Sequence, residues 1–450
     1  MINKKRYVLV GTGSRASMYI ESLINDYREV GELAALCDIN PGRLQIYREW
    51  ANNQGVQVKT YLADEFDRMI AECQPDVVIV TSKDCTHDQY IIRAMELGCD
   101  VITEKPMTMN EEKCQRILDT CQITGRKCRV TFNYRYSPSN TQIKDLLMSG
   151  VIGDVRSVDF HWLLNTTHGA DYFRRWHRLK ANSGGLQTHK ATHHFDLVNW
   201  WLSSVPEQVF ATGDLNFYTP KTADRLGLKN RAARCLECPE DKKCPFYFNL
   251  RAYPDLIKLY LENEMHDGYY RDGCVFSADI DIYDTLHLIV KFRNNIQMSY
   301  SLHSYMPWEG YIIAFNGSLG RLEHTCREST YINGDGSVPG EALIEGITTR
   351  VIPHFQNGYD VPGWKGEGGH GGGDPRLLDD LFNPNPIPDP YKHAADQRAG
   401  AYSILTGISA SRSMEWGRPV QIDELVHGLV YPEYPAMPTA DEPMALSDHP

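Results

Sequence analysis

The run Gly11-Thr12-Gly13-Ser14-Arg15-Ala16 follows a short apolar stretch, Tyr7 to Val10, and opens into a helical pattern that continues to about Tyr27. It is the dinucleotide fingerprint with Ala at its third small position. The first Gly makes a tight turn, the second lets the backbone approach a pyrophosphate, and the third small residue lets helix and strand pack. A second strand, Leu33 to Cys37, ends in Asp38, at the spacing of roughly 20 residues expected of the ribose-binding acid. A carboxylate there can take the two ribose hydroxyls of NAD and would repel the extra phosphate of NADP. Arg15 can also bind phosphate, so NADP is kept as the lesser expectation. The expected cofactor-binding residues here are Gly11, Thr12, Gly13, Ser14, Arg15, Ala16 and Asp38.

The strand and helix alternation continues. Asp76 to Thr81 reads as a buried strand and Thr86 to Gly98 as a helix. Asp100 to Thr103 is a strand, Asn110 to Gly125 a helix, and Arg129 to Phe132 a strand. This rhythm predicts a doubly wound parallel sheet, which binds ligands beyond the carboxyl ends of its strands. Polar clusters stand at those ends: Thr81 to Asp84, Glu104-Lys105-Pro106, and Asn133 to Tyr136. They add Thr81, Ser82, Glu104, Lys105 and Asn133 to the expected cofactor site, which also includes His87, with Lys105 beside the nicotinamide.

From about Val151 the pattern changes. Val155 to Leu164 alternates like a strand of an antiparallel-type sheet. His168 to Lys180 then interleaves Tyr172, Trp176 and His177 with Arg174 and Arg175. This is the mix of rings and cations that suits a polyol or sugar. Ser183 to Asp196 follows, running into the apolar Leu197 to Leu202. After its Gly-Gly turn the segment reads as a helix, with His189, His193 and Asp196 on one face. Lys190 and His194 sit one residue further round. Two His at this spacing also suit a metal, but Lys-Ala-Thr between them supplies no Glu as a general base. We read the cluster as acid–base machinery, because an unperturbed His exchanges protons near neutral pH.

Eight of the twelve cysteines are scattered singly, like reduced core thiols. Cys235, Cys238, Cys244 and Cys274 are grouped, in a charged insertion near residues 230–275, and suggest either a structural zinc site or reduced loop thiols. Strands follow at Leu286 to Phe292, Gln297 to Leu302, Tyr311 to Asn316 and Gly317 to Glu323, spaced like an antiparallel meander. Gly363 to Asp374 reads as a glycine-rich surface loop, with His370 and Asp374 facing the pocket as the alternative, Ala394 to Trp416 as a helix, and Pro419 to Ile422 as a last strand. Residues 1–132 are thus expected to form a Rossmann domain and 133–425 a substrate-binding α/β domain. Residues 426–450 are expected to be a Pro-rich acidic tail with little to bury. The net charge of −12 argues against nucleic acid and anionic membranes. No stretch approaches the roughly 18 apolar residues of a membrane span, and the N-terminus lacks a signal h-region. A cytoplasmic protein is expected.

Together, Gly11 to Ala16, Asp38, Glu104-Lys105-Pro106, Asn133-Tyr134-Arg135 and Gly184-Gly185 to Asp196 resemble the glucose–fructose oxidoreductase, inositol dehydrogenase and rhizopine catabolism (Gfo/Idh/MocA) family over most of the chain. The resemblance implies an N-terminal Rossmann domain and a C-terminal α/β domain with an open, mostly antiparallel sheet that often mediates homodimers or homotetramers. It implies NAD-dependent redox at a carbon of a sugar, glycoside or cyclitol. Lys105 matches the family Lys that polarises the reacting oxygen, and His193 matches the family's proton acceptor. The Asp that precedes that His by four residues falls on His189, a departure that we read as marking a His-Lys-x-x-His-His subgroup. The catalytic candidates are therefore Lys105, His193 and His189. The substrate-binding candidates are Tyr134, Arg135, Tyr172, Arg175, Trp176, His177, Lys190 and His194. Two rivals to a dehydrogenase are kept. One is a redox-neutral glycoside hydrolase with permanently bound NAD, which needs a further base. The other is a non-catalytic sensor, which would not need Lys105 or His193.

Overall fold

The computed structural model describes residues 4–328, 346–366 and 369–438. Six short strands form the first sheet: β1 (Lys5–Val10), β2 (Gly31–Asp38), β3 (Lys59–Leu62), β4 (Val77–Val80), β5 (Asp100–Thr103) and β6 (Cys128–Val130). Their order is β3-β2-β1-β4-β5-β6, and every pairing is parallel. The unbroken apolar run of β4 fits this placement, since all four of its residues are buried. The crossover helices carry their own stop signals. In Glu111–Thr124 the Asn110 side chain accepts from Lys113 N, and Gly125 ends the helix at φ +66°.

Nine strands form the second sheet. They are β7 (Val155–Asn165), β8 (Pro206–Asp214), β9 (Thr285–Phe292), β10 (Gln297–Met306), β11 (Glu309–Gly317), β12 (Gly320–Glu328), β13 (Gly346–Pro353), β14 (Tyr359–Val361) and β15 (Val420–Gln421). Their order is β14-β13-β12-β11-β7-β10-β9-β8-β15. A simple meander would pair β10 with β11. Instead β7 lies between them, parallel to β10 and antiparallel to β11. Phe160, Trp162 and Leu164, alternate residues of β7, are buried together on one face. Against that face packs the helix Ala191–Leu202, whose residues are all buried.

The long helix Gln397–Trp416 joins the two sheets. Val130 N donates to Ala395 O at 3.0 Å, so the segment before this helix caps the edge of β6. A Cβ at Gly400 would lie 2.8 Å from Val130, and one at Gly407 would lie 2.1 Å from the Gln187 carbonyl oxygen. At Gly407 the helix passes directly over other backbone, and at Gly400 it lies against the Val130 and Met107 side chains, so neither position has room for a Cβ.

Two expectations are corrected here. The segment from Gly363 is not surface loop throughout. Gly369–Phe382 is a kinked helix, with His370, Gly371 and Gly372 in left-handed conformation, and Phe382 packs on Tyr7. Nor does the start of the tail lie idle. Tyr434 stacks near the Arg135 guanidinium, Pro435 O accepts from Ser203, and Lys144 Nζ approaches Met437 Sδ at 3.2 Å. Residues 439–450 lie outside the described residues.

Between β8 and β9, residues 215–284 form the insertion. Cys235, Cys238, Cys244 and Cys274 line one small cavity there. Among the described residues, however, no group of three or more His, Cys, Asp or Glu side chains is arranged to hold a metal ion. The expected zinc is therefore not supported. Arg174 Nη1 faces Cys235 Sγ at 3.1 Å, which puts a cation where a dication would have to bind. No helix among the described residues is long and apolar enough to cross a membrane.

Candidate active site

One cavity of about 640 Å³ runs from Asp38 and Arg43, past Gly11, Gly13 and the ends of β4 and β5, to Lys105, His189 and His193. Its volume is that of a cofactor or substrate pocket.

The fingerprint end is built as the sequence predicts for a dinucleotide. Gly11 turns at φ +94°, and a Cβ at Gly13 would meet only the Tyr260 hydroxyl, at 3.5 Å. The loop backbone is thus open to a pyrophosphate. Gly11, Gly13, Ser14 and Arg15 line the cavity. Thr12 and Ala16 are fully buried beneath it. Thr12 holds Asp38: Asp38 Oδ2 accepts from Thr12 N at 2.5 Å and from Thr12 Oγ1 at 2.8 Å. Asp38 Oδ1 accepts from Asn40 N and from Arg43 Nη2. A negative charge fixed there disfavours a 2′-phosphate. Arg15 does not stand free to attract one, because its Nε donates to Glu104 Oε1 at 2.6 Å. The Tyr19 hydroxyl donates to the same oxygen. Thr81, Ser82, His87, Glu104 and Asn133 all reach the cavity wall. His87 bridges the carbonyl oxygens of Pro106 and Ser82, tying the loops after β4 and β5 together.

At the inner end, Lys105 Nζ donates to His189 O at 3.4 Å. Burial lowers its pKa to about 8, with Asp84 and Glu104 opposing and the Lys190 cation adding to the fall. Lys105 is therefore an ammonium at neutral pH that loses its proton in mild alkali. His193 is pushed well below the usual histidine range by burial and by Lys105 and Lys190. It is a neutral base, and its Nδ1 has no hydrogen-bond partner among the described residues. His189 and His193 are carried by two helices, Leu186–His189 and Ala191–Leu202, which meet at Lys190. His189 Nδ1 contacts Asp84 Oδ2 at 2.5 Å. Burial drives His189 down and Asp84 up, so the pair shares one proton instead of holding two charges.

Tyr172, Arg175, Trp176, His177 and Lys190 line the same chamber. Asp171 sits between Arg271 and Arg175; burial would raise its pKa, but these two cations outweigh it and hold it at about 2. Three expected substrate residues do not line the cavity. Arg135 is buried in a two-pronged contact with Asp196, at 2.5 and 2.7 Å. Asp196 thus turns away from the face it was expected to share with the two histidines. His194 stacks on Trp162 at 3.7 Å and pairs with the Tyr300 hydroxyl. The Tyr134 ring backs the cavity wall against His193 at 4.7 Å and Lys190 at 5.3 Å.

Other wall residues were not foreseen. Asp84 is one. His168 is another, held from behind the wall by Glu309 at 2.7 Å and paired with the Tyr172 hydroxyl at 3.0 Å. His370, whose place at the pocket was the alternative to a surface loop, also reaches the wall, and its Nδ1 lies 2.7 Å from Asp374 Oδ2, while Asn133 donates to the other oxygen of that carboxylate. Tyr260, Tyr269 and Arg271 enter from the insertion. Their only sequence signal was the aromatic and charged composition of that segment.

These features agree with what the chain resembles. Residues 5–132 match the profile described as oxidoreductase family, NAD-binding Rossmann fold. Residues 144–422 match that of the oxidoreductase family C-terminal alpha/beta domain. The oxidoreductase YteT of Bacillus subtilis (strain 168) is 37% identical over 431 residues, spanning 94% of this chain and 98% of its own. An inositol 2-dehydrogenase/D-chiro-inositol 3-dehydrogenase of Lactiplantibacillus plantarum is 26% identical over 193 residues, 43% of this chain and 51% of its own. The crystal structure of aldose-aldose oxidoreductase from Caulobacter crescentus, complexed with glycerol, shares the fold. Its TM-score is 0.60 at 17% identity, over 93% of this chain and all of that one. With both of its halves matched, the chain belongs to the Gfo/Idh/MocA oxidoreductase family.

Proposed function

We propose that this protein is an NAD-dependent oxidoreductase acting at a hydroxyl or keto carbon of a sugar, glycoside or cyclitol. The observation that carries the reading is the single cavity joining the fingerprint loop to Lys105 and His193. Bound NAD supplies the hydride acceptor or donor. The chain supplies everything else. The Lys105 ammonium stabilises negative charge on the reacting oxygen, and neutral His193 accepts the hydroxyl proton. Burial keeps His193 neutral, so no proton has to leave it first. Trp176, Tyr172 and Arg175 offer ring faces and a cation to a polyol. The likeness to inositol and aldose enzymes supports the substrate class.

The His189–Asp84 pair favours a second reading, redox-neutral glycoside cleavage with retained NAD. That chemistry needs a further acid–base group for a carbon-bound proton, and a His oriented by a carboxylate in the same chamber supplies one. The test is a panel of sugars, cyclitols and chromogenic glycosides, followed at once for NADH and for released aglycone. NADH appearing with a free sugar or cyclitol supports the first reading. Aglycone release with no net NADH supports the second, and silence in both channels rejects both. The solvent face of the second sheet, with Phe210, Ile289 and Ile312 exposed, is where we place self-association. Light scattering of the protein beside its Ile289→Lys variant tests that placement.

A further inference from the structure

The insertion between β8 and β9 does more than decorate the second domain. Its segment from Tyr253 to Tyr269 crosses to the first domain and closes over the fingerprint loop. The Tyr260 hydroxyl lies 3.0 Å from Ser14 N and 2.7 Å from Ser14 Oγ. Asn40 Nδ2 donates to Asn263 O at 2.9 Å. Arg43 Nη2 is shared between Asp38, at 3.0 Å, and Asp267 of the insertion, at 2.6 Å. A Cβ on Gly42 would collide with Asn263 Oδ1 at 1.6 Å, so the two segments meet without room for a side chain. Leu259 and Tyr260 are buried within the apolar core of the first domain. The far end of the segment is tied down too, because Arg271 grips Asp171 and Arg234 grips Asp272 and Glu264.

We infer that this segment is a clasp that retains the dinucleotide, with Tyr260 as a phosphate-binding residue supplied from the second domain. The inference rests on the reading that the cavity takes a nicotinamide dinucleotide. Ser14 N belongs to the loop whose amides face a pyrophosphate, and it now donates to a phenol oxygen. A phosphate oxygen is a stronger acceptor and takes that amide, leaving the Tyr260 O–H to donate to the phosphate beside it. Asp267 holds Arg43 against Asp38, which closes the ribose end. Release then requires the clasp to lift, so the cofactor leaves slowly compared with a nucleotide in an open cleft.

The experiment loads the full chain with NADH and chases it with excess NAD, reading nucleotide fluorescence. Tyr260→Phe keeps the ring and removes the hydroxyl. It is expected to release NADH at least tenfold faster than the parent, the worth of one hydrogen bond to a charged group. Asp267→Asn is expected to act in the same direction and serves if the first variant is poorly folded. Amides of residues 254–270 are expected to exchange more slowly with solvent deuterium once NADH is added. Release from both variants within twofold of the parent overturns the clasp, as does unchanged exchange. Failure of the parent to bind NADH at all overturns the dinucleotide reading itself, so the two failures are distinct.

Discussion

Replacing Arg135 by Met tests whether the pair with Asp196 is structural or part of the substrate site. Both side chains are 1% exposed, and Arg135 supplies the cation that faces the carboxylate. Burial pushes the Asp196 carboxyl up to about 6 even with that cation present. Without it the carboxyl rises further, toward the roughly 8–9 reached by buried carboxyls that have no cation beside them. In the unfolded chain it titrates near about 3.9. The folded state therefore holds a proton that the unfolded chain gives up, and stability falls as pH rises. Parent and variant share this loss up to pH 6, the parent's folded value. Above that only the variant keeps losing, by about 1.4 kcal/mol per pH unit. By pH 8 the added deficit is about 3 kcal/mol, at the low end of the roughly 3–5 kcal/mol expected when one partner of a buried pair is removed. Urea midpoints followed by tryptophan fluorescence from pH 5.5 to 8.5 measure it. A deficit of equal size at every pH refutes the reasoning. Arg135→Met combined with Asp196→Leu should abolish this added pH dependence, since no carboxyl remains at that position. At pH 5.5, where the single variant is nearly intact, an unchanged KM agrees with Arg135 lying off the cavity.

Other expectations concern the reacting groups. His193→Ala should lower kcat by roughly 100-fold or more, the usual worth of a general base, with NADH affinity retained; turnover within a few-fold of the parent removes His193 from that role. The rate should fall as pH passes through about 8, where Lys105 loses its charge, and stay level below that until His193 protonates well under the usual histidine range. A falling limb that persists unchanged in Lys105→Met would assign it to another group. Asp84→Asn should free His189 from its shared proton and lower kcat more than it raises KM; a pure KM effect would make the pair a binding element only. Prolonged treatment with a zinc chelator should leave the thermal midpoint unchanged, because a guanidinium already faces Cys235; a drop of several degrees would restore the zinc reading.

The first sheet was legible because each of its signals is local: apolar runs of four to eight residues, caps such as Asn110 and Gly125, and a fingerprint whose spacing is fixed by one ligand. The polar clusters at the strand ends, which line the cavity, were legible for the same reason. What escaped depends on distance along the chain. Tyr260 meets a residue 246 positions away, and the aromatic and charged composition of its segment does not single it out. The place of β7 between β10 and β11 is likewise a choice of pairing that alternation alone does not make. Arg135 and Asp196 were misplaced for a physical reason. Charged residues beside a site are ordinarily read as facing it, yet two opposite charges can satisfy each other and be buried whole. His370 was read first as surface, with the pocket as the alternative, because glycines suggest either mobility or close backbone approach. Here they let the backbone pass close to Asn133, where a Cβ at Gly373 would lie 2.4 Å from its carbonyl oxygen.

The helix Gln397–Trp416 and the segment before it bear on how the chain is made. During synthesis β6 emerges long before Ala395, and the edge it presents stays uncapped until more than half the protein has followed it from the ribosome. Until then the nascent first domain offers a strand edge to any other chain nearby. Capping of the parallel sheet is thus a late event in synthesis, and a polypeptide cut short of this helix would expose that edge permanently.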